Sequence, residues 1–234
     1  MLELKNMSCG YGAFQAVHDL SLELRPATIT ALLGANGAGK SSTLMCIAGH
    51  GELHGGKLLF EGKDISTMQA TERVRLGIAI SPEGRRLFKD LSVEDNLRVG
   101  GVIHPTHFYA KDRERVLSLF PRLGERLNSL AGNLSGGEQQ MLAIGRALMT
   151  RPKLIMIDEL SLGLMPKVID QCYQALKLLR DEGMTVLLVE QNTERALATA
   201  DHVCVLESGV TVWHGSAEDA RNDPSLAAAF LGLH

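Results

Sequence analysis

Residues 34–41, which read Gly-Ala-Asn-Gly-Ala-Gly-Lys-Ser, constrain the fold more than any other segment of the chain. They match the pattern G-x-x-x-x-G-K-[ST] in full. The short apolar run Ile29–Leu33 leads directly into these glycines, and the segment from Ser41 to the breaker Gly49 has the composition of a helix. A strand, a glycine loop and a helix in this order form the opening of a βαβ unit. The pattern therefore predicts an α/β fold with a mostly parallel sheet.

The same loop has the chemistry of a phosphate site. Glycines allow the backbone to curl so that successive N–H groups point inward at phosphate oxygens, and the helix that follows adds the positive end of its dipole. We expect Lys40 to neutralise charge between the β- and γ-phosphates and Ser41 to hold Mg²⁺. A glycine turn that only joins the strand to the helix would not explain the Lys-Ser pair at the helix start. The candidate nucleotide-binding residues here are Gly34, Asn36, Gly37, Ala38, Gly39, Lys40, Ser41 and Ser42.

A second acidic element supports this prediction. The apolar residues 154–157 have the character of a buried strand, and Asp158 and Glu159 follow it directly. Asp158 is placed to bind magnesium, directly or through water, and Glu159 is placed to polarise an attacking water. The alternative interpretation is that Asp158 and Glu159 are simply two exposed carboxylates at the end of a strand, which is common. Together the two motifs indicate a P-loop NTPase, a class that includes small-molecule kinases, GTPases and helicases.

The rest of the pattern predicts how the chain is organised. Leu20, Leu22 and Leu24 alternate with polar residues as in a half-buried strand. Glycine-containing turns at 55–56 and 61–64 bracket residues 57–60, which predicts a hairpin. Apolar strands are expected at 76–80, 153–157 and 185–189, a helix at 167–180, and a hairpin at 203–206 and 210–213.

Strand signals are missing between about residues 87 and 150. Helices are expected there from Ser92, which Asp95 follows, over Lys111–Phe120, and from Ser135 to before Pro152. We therefore expect one domain over residues 1–234, with 87–150 as an inserted helical subdomain.

Composition and charge narrow the kinds of partner that the chain is expected to bind. A net charge of -3 argues against nucleic acid as the main partner, because phosphate backbones are usually bound by a basic face. The sequence has neither a signal-peptide pattern at its start nor the ~20 consecutive apolar residues of a membrane span. We expect a chain that reaches a membrane only through a partner. The four scattered cysteines are expected to be buried, reduced thiols.

Residues 134–140, Leu-Ser-Gly-Gly-Glu-Gln-Gln, lie between the glycine loop and Asp158. This segment resembles the signature of the ABC ATPases. The resemblance implies ATP and Mg²⁺ as ligands, ATP hydrolysis, and an ABC ATPase fold with an N-terminal antiparallel β part. It also implies that Ser135, Gly136, Gly137 and Glu138 contact the γ-phosphate held by a second ATP-binding subunit, identical or paralogous. A glycine loop that caps a helix at Ser135 is the simpler explanation, and both can hold at once.

Other positions resemble further elements of this family. Tyr11 resembles the aromatic residue that stacks on adenine, although a surface tyrosine in a Gly-Tyr-Gly turn is a fair competitor. Residues 161–164, Ser-Leu-Gly-Leu, resemble the loop that follows the catalytic glutamate and touches the partner. Leu160 stands where most members have proline, and the sequence gives no functional reason for it.

Two further departures concern the catalytic centre. Glu83 stands where most members have glutamine, and it is expected either in the shell of the magnesium ion or on a solvated loop. Gln191 stands where most have the switch histidine. It can donate a hydrogen bond to the γ-phosphate but cannot become cationic, so we expect a modest catalytic rate.

Together with the Ser-Leu-Gly-Leu loop, the departures at Glu83 and Gln191 form a pattern that resembles the smaller ATPase subunit of the branched-chain amino acid importers. That implies permease membrane subunits as partners, a cytoplasmic position on the inner face of the membrane, and no direct contact with the transported substrate. A urea or amide importer ATPase and a non-hydrolysing regulatory subunit are the alternatives. ABC proteins of DNA repair are excluded because the insertion lacks a long heptad run, and two-cassette translation proteins because this chain has one cassette.

Overall fold

The computed structural model describes residues 1–223 and residue 226. The remainder of the expected 1–234 domain lies outside the described residues. The strands are β1 Leu2–Tyr11, β2 Phe14–Leu24, β3 Ile29–Leu33, β4 Glu52–Phe60, β5 Lys63–Asp64, β6 Ile78–Ser81, β7 Leu154–Asp158, β8 Thr185–Glu190, β9 His202–Glu207 and β10 Val210–Ser216. The helices are α1 Lys40–Ala48, α2 Ala70–Leu76, α3 Val93–Gly101, α4 Tyr109–Leu119, α5 Pro121–Gly124, α6 Gly136–Leu148, α7 Pro166–Asp181, α8 Thr193–Thr199 and α9 Ala217–Asn222.

The central sheet has six strands in the order β10-β9-β3-β8-β7-β6, and only the β9–β10 pair is antiparallel. Every residue of β3, β7 and β8 is buried, as expected for parallel strands covered by helices on both faces. The mostly parallel core sheet is thus confirmed. Because β3, β7 and β8 are neighbours, their carboxyl ends lie side by side along one edge, where open α/β sheets bind their ligands.

The N-terminal part forms a separate antiparallel sheet in the order β2-β1-β4-β5. The turn at residues 61–62 joins β4 to β5 as predicted. The predicted turn at Gly55-Gly56 is wrong, because both glycines lie inside β4 at a register shift opposite β1. Gly56 has φ 79°, and a Cβ there would come within 2.2 Å of the Asn6 carbonyl oxygen. These glycines therefore accommodate an irregular strand pair rather than a chain reversal.

Helices α3 to α6 occupy the segment in which strand signals were missing. Ser92 caps α3 by accepting a hydrogen bond from the Asp95 amide, N···Oγ 3.0 Å, as its sequence pattern predicts. Val116, Phe120 and Leu123 are buried in this part, and a Cβ on Gly145 would lie 2.7 Å from Val116 Cγ1. The close contact shows how tightly α6 packs against α4. The division into a subdomain at 87–150 remains a prediction.

Some elements differ from the expected ones. The strand expected at Leu76–Ile80 begins only at Ile78, because Leu76 ends α2 and Gly77, at φ 105°, terminates that helix. The short helices α2, α8 and α9 have no counterpart in the sequence predictions. None of the helices within residues 1–223 is long and apolar enough to cross a membrane. All four cysteines are buried and free, as expected.

Candidate functional site

The glycine loop joins β3 to α1 at the carboxyl edge of the sheet. Gly37 and Gly39 have φ of 80° and 98°, values that side-chain-bearing residues rarely adopt. A Cβ on Gly34 would come within 2.3 Å of the Leu206 carbonyl oxygen. The glycines are therefore required by backbone conformation and by close packing against β9.

Lys40 opens α1 and is almost completely buried. Its Nζ donates hydrogen bonds to the carbonyl oxygens of Gly34 and Ala35, both at 2.9 Å. Burial lowers the pKa of the Lys40 ammonium, and the nearby carboxylates, chiefly Glu159 and Asp158, oppose that shift. The side chain thus folds over the loop it belongs to, which keeps a cation at the phosphate site.

Asp158, at the end of β7, is buried and contacts Ser41. The Ser41 hydroxyl donates to Asp158 Oδ1 at 3.2 Å, whereas the buried Oδ2 has no hydrogen-bond partner. Burial, reinforced by the charges of Glu159 and Glu83, raises the pKa of Asp158 to about 6. A buried carboxylate oxygen without a partner beside a hydroxyl is a donor set suited to a hard divalent cation, so these residues fit Mg²⁺.

Glu159 and Gln191 lie beside this pair at the ends of β7 and β8. The Glu159 amide donates to the Val189 carbonyl oxygen at 3.0 Å, and its φ of 49° is unusual for a residue with a side chain. The Gln191 side-chain amide donates to Glu159 Oε1. The two residues expected to act on water and on the γ-phosphate are therefore in direct contact.

Lys40, Ser41, Glu159 and Gln191 line one open cleft of about 810 Å³, a volume in the range of small-molecule sites. The predicted residues Gly34, Ala38 and Asp158 are not among those that line it. From the predicted set the cleft is lined by Asn36, Gly37, Gly39, Lys40, Ser41, Ser42, Glu83, Glu159 and Gln191. It is also lined by residues that the sequence interpretation did not include: Phe14, Gln15, Ala16, His18, Leu162 and Ser208. Phe14, Ala16 and His18 alternate along β2 and so share one face of that strand, but this alternation does not show that the face lines a site.

Tyr11 lies elsewhere. It is half-exposed at the end of β1 and lines a neighbouring hollow together with Met45, Pro82 and Arg146. The structure does not bring it to the cleft, where Phe14, 69% exposed, is the aromatic lining residue. Stacking of Tyr11 on adenine therefore stays a prediction without support from the cleft geometry.

The signature segment forms the start of α6. Ser135 accepts from the Glu138 amide at 3.3 Å, and Glu138 Oε2 accepts from the Ser135 amide at 2.9 Å, which makes a capping box. Gly137 packs against α7, where an added Cβ would be 2.5 Å from Val168 Cγ1. None of the residues 135–138 is among those that line the cleft. The signature and the glycine loop of one chain thus do not form a common site.

The parallel sheet, the glycine loop at its carboxyl edge and the acidic end of the neighbouring strand define a P-loop nucleotide-binding protein. The model of the ABC transporter family matches residues 17–161. The chain is 46% identical to the high-affinity branched-chain amino acid transport ATP-binding protein BraG of Pseudomonas aeruginosa, over 99% of the chain and 100% of that protein. It is 35% identical to a probable branched-chain amino acid transport ATP-binding protein, LivF, of Archaeoglobus fulgidus, over 100% and 99% of the two chains.

The solved structures agree. An ATP-binding cassette of an ABC transporter in its ADP conformation superposes with a TM-score of 0.87 at 26% identity, covering 99% of this chain and 98% of that one. The chain therefore belongs to the ABC transporter family, as an ATPase subunit.

Proposed function

We propose that this chain is the ATP-hydrolysing subunit that powers an ABC importer for branched-chain or other hydrophobic amino acids. The observation that carries the ATPase part is the meeting of Lys40, Ser41, Glu159 and Gln191 in one cleft. The buried Asp158 carboxylate joins this group through its hydrogen bond with Ser41. The assignment of the cargo rests on the names of the relatives, which align with this chain along nearly its whole length.

Each side chain has a role that its position supports. The loop of residues 34–42 holds the phosphates of ATP through its backbone N–H groups, and Lys40 neutralises their charge. Ser41 and Asp158 hold Mg²⁺, with Glu83 at the exposed side of the cleft. When bound, the ion neutralises charge on the phosphate oxygens. Glu159 orients the attacking water, while Gln191 contacts Glu159 and donates to the γ-phosphate.

Because residues 135–138 lie outside the cleft, the site is completed by another chain. The capped start of α6 presents free backbone N–H groups, which bind anions well. In this proposal two subunits, identical or paralogous, close on two ATP molecules, and each supplies its Ser135–Gly137 segment to the nucleotide of the other.

The permease contact is proposed on the loop at 83–88 and the helices that follow it. Phe88 is 48% exposed there and its ring lies under the Arg146 guanidinium, 5.3 Å from the ring centroid. Through this contact the subunit would lie on the inner face of the membrane without touching the cargo. Crosslinking from Phe88 should label a permease, and labelling confined to the opposite face would contradict the contact.

The decisive experiment compares ATP hydrolysis by the wild type, Glu159→Gln and Glu218→Gln. The last variant makes the same chemical change on the exposed face of α9. We expect Glu159→Gln to lose about 10²–10⁴-fold in turnover while still binding ATP, and Glu218→Gln to behave as the wild type. A wild-type chain that binds ATP but does not turn it over would instead indicate a regulatory subunit. Leucine uptake by cells lacking the gene, compared with urea uptake, tests the cargo.

A further inference from the structure

Glu190 is a buried carboxylate at the carboxyl end of β8 that accepts four hydrogen bonds. Its Oε1 accepts from the Ser161 amide at 3.0 Å and the Tyr173 hydroxyl at 3.1 Å. Its Oε2 accepts from the Ser161 hydroxyl at 2.8 Å and the Gln191 amide at 3.3 Å. The side chain is 1% exposed, so these protein donors satisfy the carboxylate in place of water.

Stability alone does not explain such a group. Burial raises the pKa of Glu190, and the donors from Ser161, Tyr173 and Gln191 oppose that shift. An apolar side chain of similar volume is often as stabilising as a buried charge with its partners, or more so. The four donors belong to three different segments, and this points to a role in holding those segments together.

Two of those segments carry the catalytic side chains. Ser161 lies two residues after Glu159 on the loop from β7 to α7, and Gln191 begins the loop that leaves β8. Glu159 is fixed to β8 a second time, through its amide bond to the Val189 carbonyl oxygen. The Glu190 carboxylate thus ties the loop after Glu159 to the backbone of the residue whose side chain contacts Glu159.

We propose that Glu190 is a positioning residue that sets the placement of Glu159 relative to Gln191 for hydrolysis. This inference rests on the proposed function, because it assigns those two residues to the reaction. Glu190 touches neither water nor phosphate in this role. It acts through the donors that it holds on the two loops, which are the amide and hydroxyl of Ser161 and the amide of Gln191.

The amide isostere tests this mechanism sharply. In Glu190→Gln one carboxylate oxygen becomes an NH₂ group, which donates and cannot accept. The hydroxyls of Ser161 and Tyr173 can rotate and accept from it, but a backbone N–H cannot reverse. In one orientation of the amide the Ser161 N–H loses its acceptor, and in the other the Gln191 N–H does. Either orientation releases one of the two loops.

Tyr173→Phe is the matched control. It removes one hydrogen bond from the same carboxylate but leaves both backbone N–H bonds in place. Ser161→Ala is a second variant that keeps the carboxylate and both amide bonds and removes only the Ser161 hydroxyl contact. The full chain is assayed with ATP and Mg²⁺ for kcat and KM, and each variant is unfolded thermally in parallel.

We expect Glu190→Gln to lower kcat by about 10- to 100-fold with little change in KM, as misplacement of catalytic groups does. Tyr173→Phe should keep kcat near the wild-type value despite a lower melting temperature, and Ser161→Ala should fall between them. A kcat that follows melting temperature across all three variants would overturn the inference. If Glu190→Gln does not fold, the comparison of Ser161→Ala with Tyr173→Phe decides, and equal kcat values in those two would overturn it.

The outcomes for the two proposals are separable. A wild type without turnover contradicts the proposed function itself. An active wild type with an equally active, folded Glu190→Gln variant contradicts the positioning role and leaves the ATPase assignment intact.

Discussion

Removing the charge of Asp158 should stabilise the nucleotide-free protein. Its carboxyl has a pKa of about 6 in the folded chain, against an ordinary value of 3.8, mainly because it is buried. The folded state therefore holds a proton over a pH range in which the unfolded chain has released it. Stability falls as pH rises from about 4 to about 6, and a difference of roughly two pKa units corresponds to about 3 kcal/mol. Asp158→Asn avoids this cost while its carbonyl still accepts from Ser41.

The assay is thermal and denaturant unfolding of wild type and Asp158→Asn in EDTA without nucleotide, from pH 4 to pH 8. For a chain of this size, up to about 3 kcal/mol corresponds to a rise on the order of 6–12 °C in melting temperature at pH 7–8. The difference should disappear near pH 4. Asp90→Asn, on an exposed loop, is the matched control and should show no such pH dependence. The reasoning would be refuted if the difference in unfolding free energy between Asp158→Asn and the wild type were the same at pH 8 as at pH 4.

Three further predictions concern packing and turnover. Arg73→Met should destabilise the fold by about 1–3 kcal/mol in denaturant unfolding, because the four carbonyl oxygens that accept from its buried guanidinium, two of them at the end of α1, lose their donor. Exposed Arg75→Met on the same helix should change little. Gly137→Ala should lower the free energy of unfolding by about 1–3 kcal/mol, because its Cβ would overlap Val168. Adding Val168→Ala should recover the lost stability, because it removes the overlapping methyl groups. Gln191→His should keep or raise the ATPase rate, and a collapse in turnover would refute its assigned role.

The sequence predicted those parts of the fold in which local and global requirements coincide. The glycine loop, the strand before Asp158 and the helix start at Ser92 each carry their own signal, and the structure places them as expected. The pair Gly55-Gly56 failed as a turn because its glycines serve a contact with β1, which a local pattern cannot reveal.

Other features that the sequence did not predict have a similar physical cause. Helix α2 has a local signal, because the Glu72 carboxylate accepts from the Gln69 amide, but its seven residues are too few for a clear apolar period. Phe14 was missed because strand alternation shows a shared face but not what lies opposite that face. Glu190 could not be recognised because three of its four hydrogen bonds come from Ser161 and Tyr173, which are 29 and 17 residues away in the chain. Contacts between segments that share no local pattern become visible only in the folded structure.

The central claim is that each cleft is completed by the signature of a second chain, and a mixing experiment tests it most directly. Lys40→Ala removes the cation of the glycine loop, and Ser135→Asp keeps a good helix cap while placing a negative charge where the phosphate is expected. Each variant alone should have little ATPase activity, provided that the wild-type chain is active by itself. When the two variants are mixed, a dimer with one subunit of each has one site that combines an intact glycine loop with an intact signature, so ATPase activity should return. A mixture as inactive as its components, or a fully active Ser135→Asp variant, would contradict the shared site.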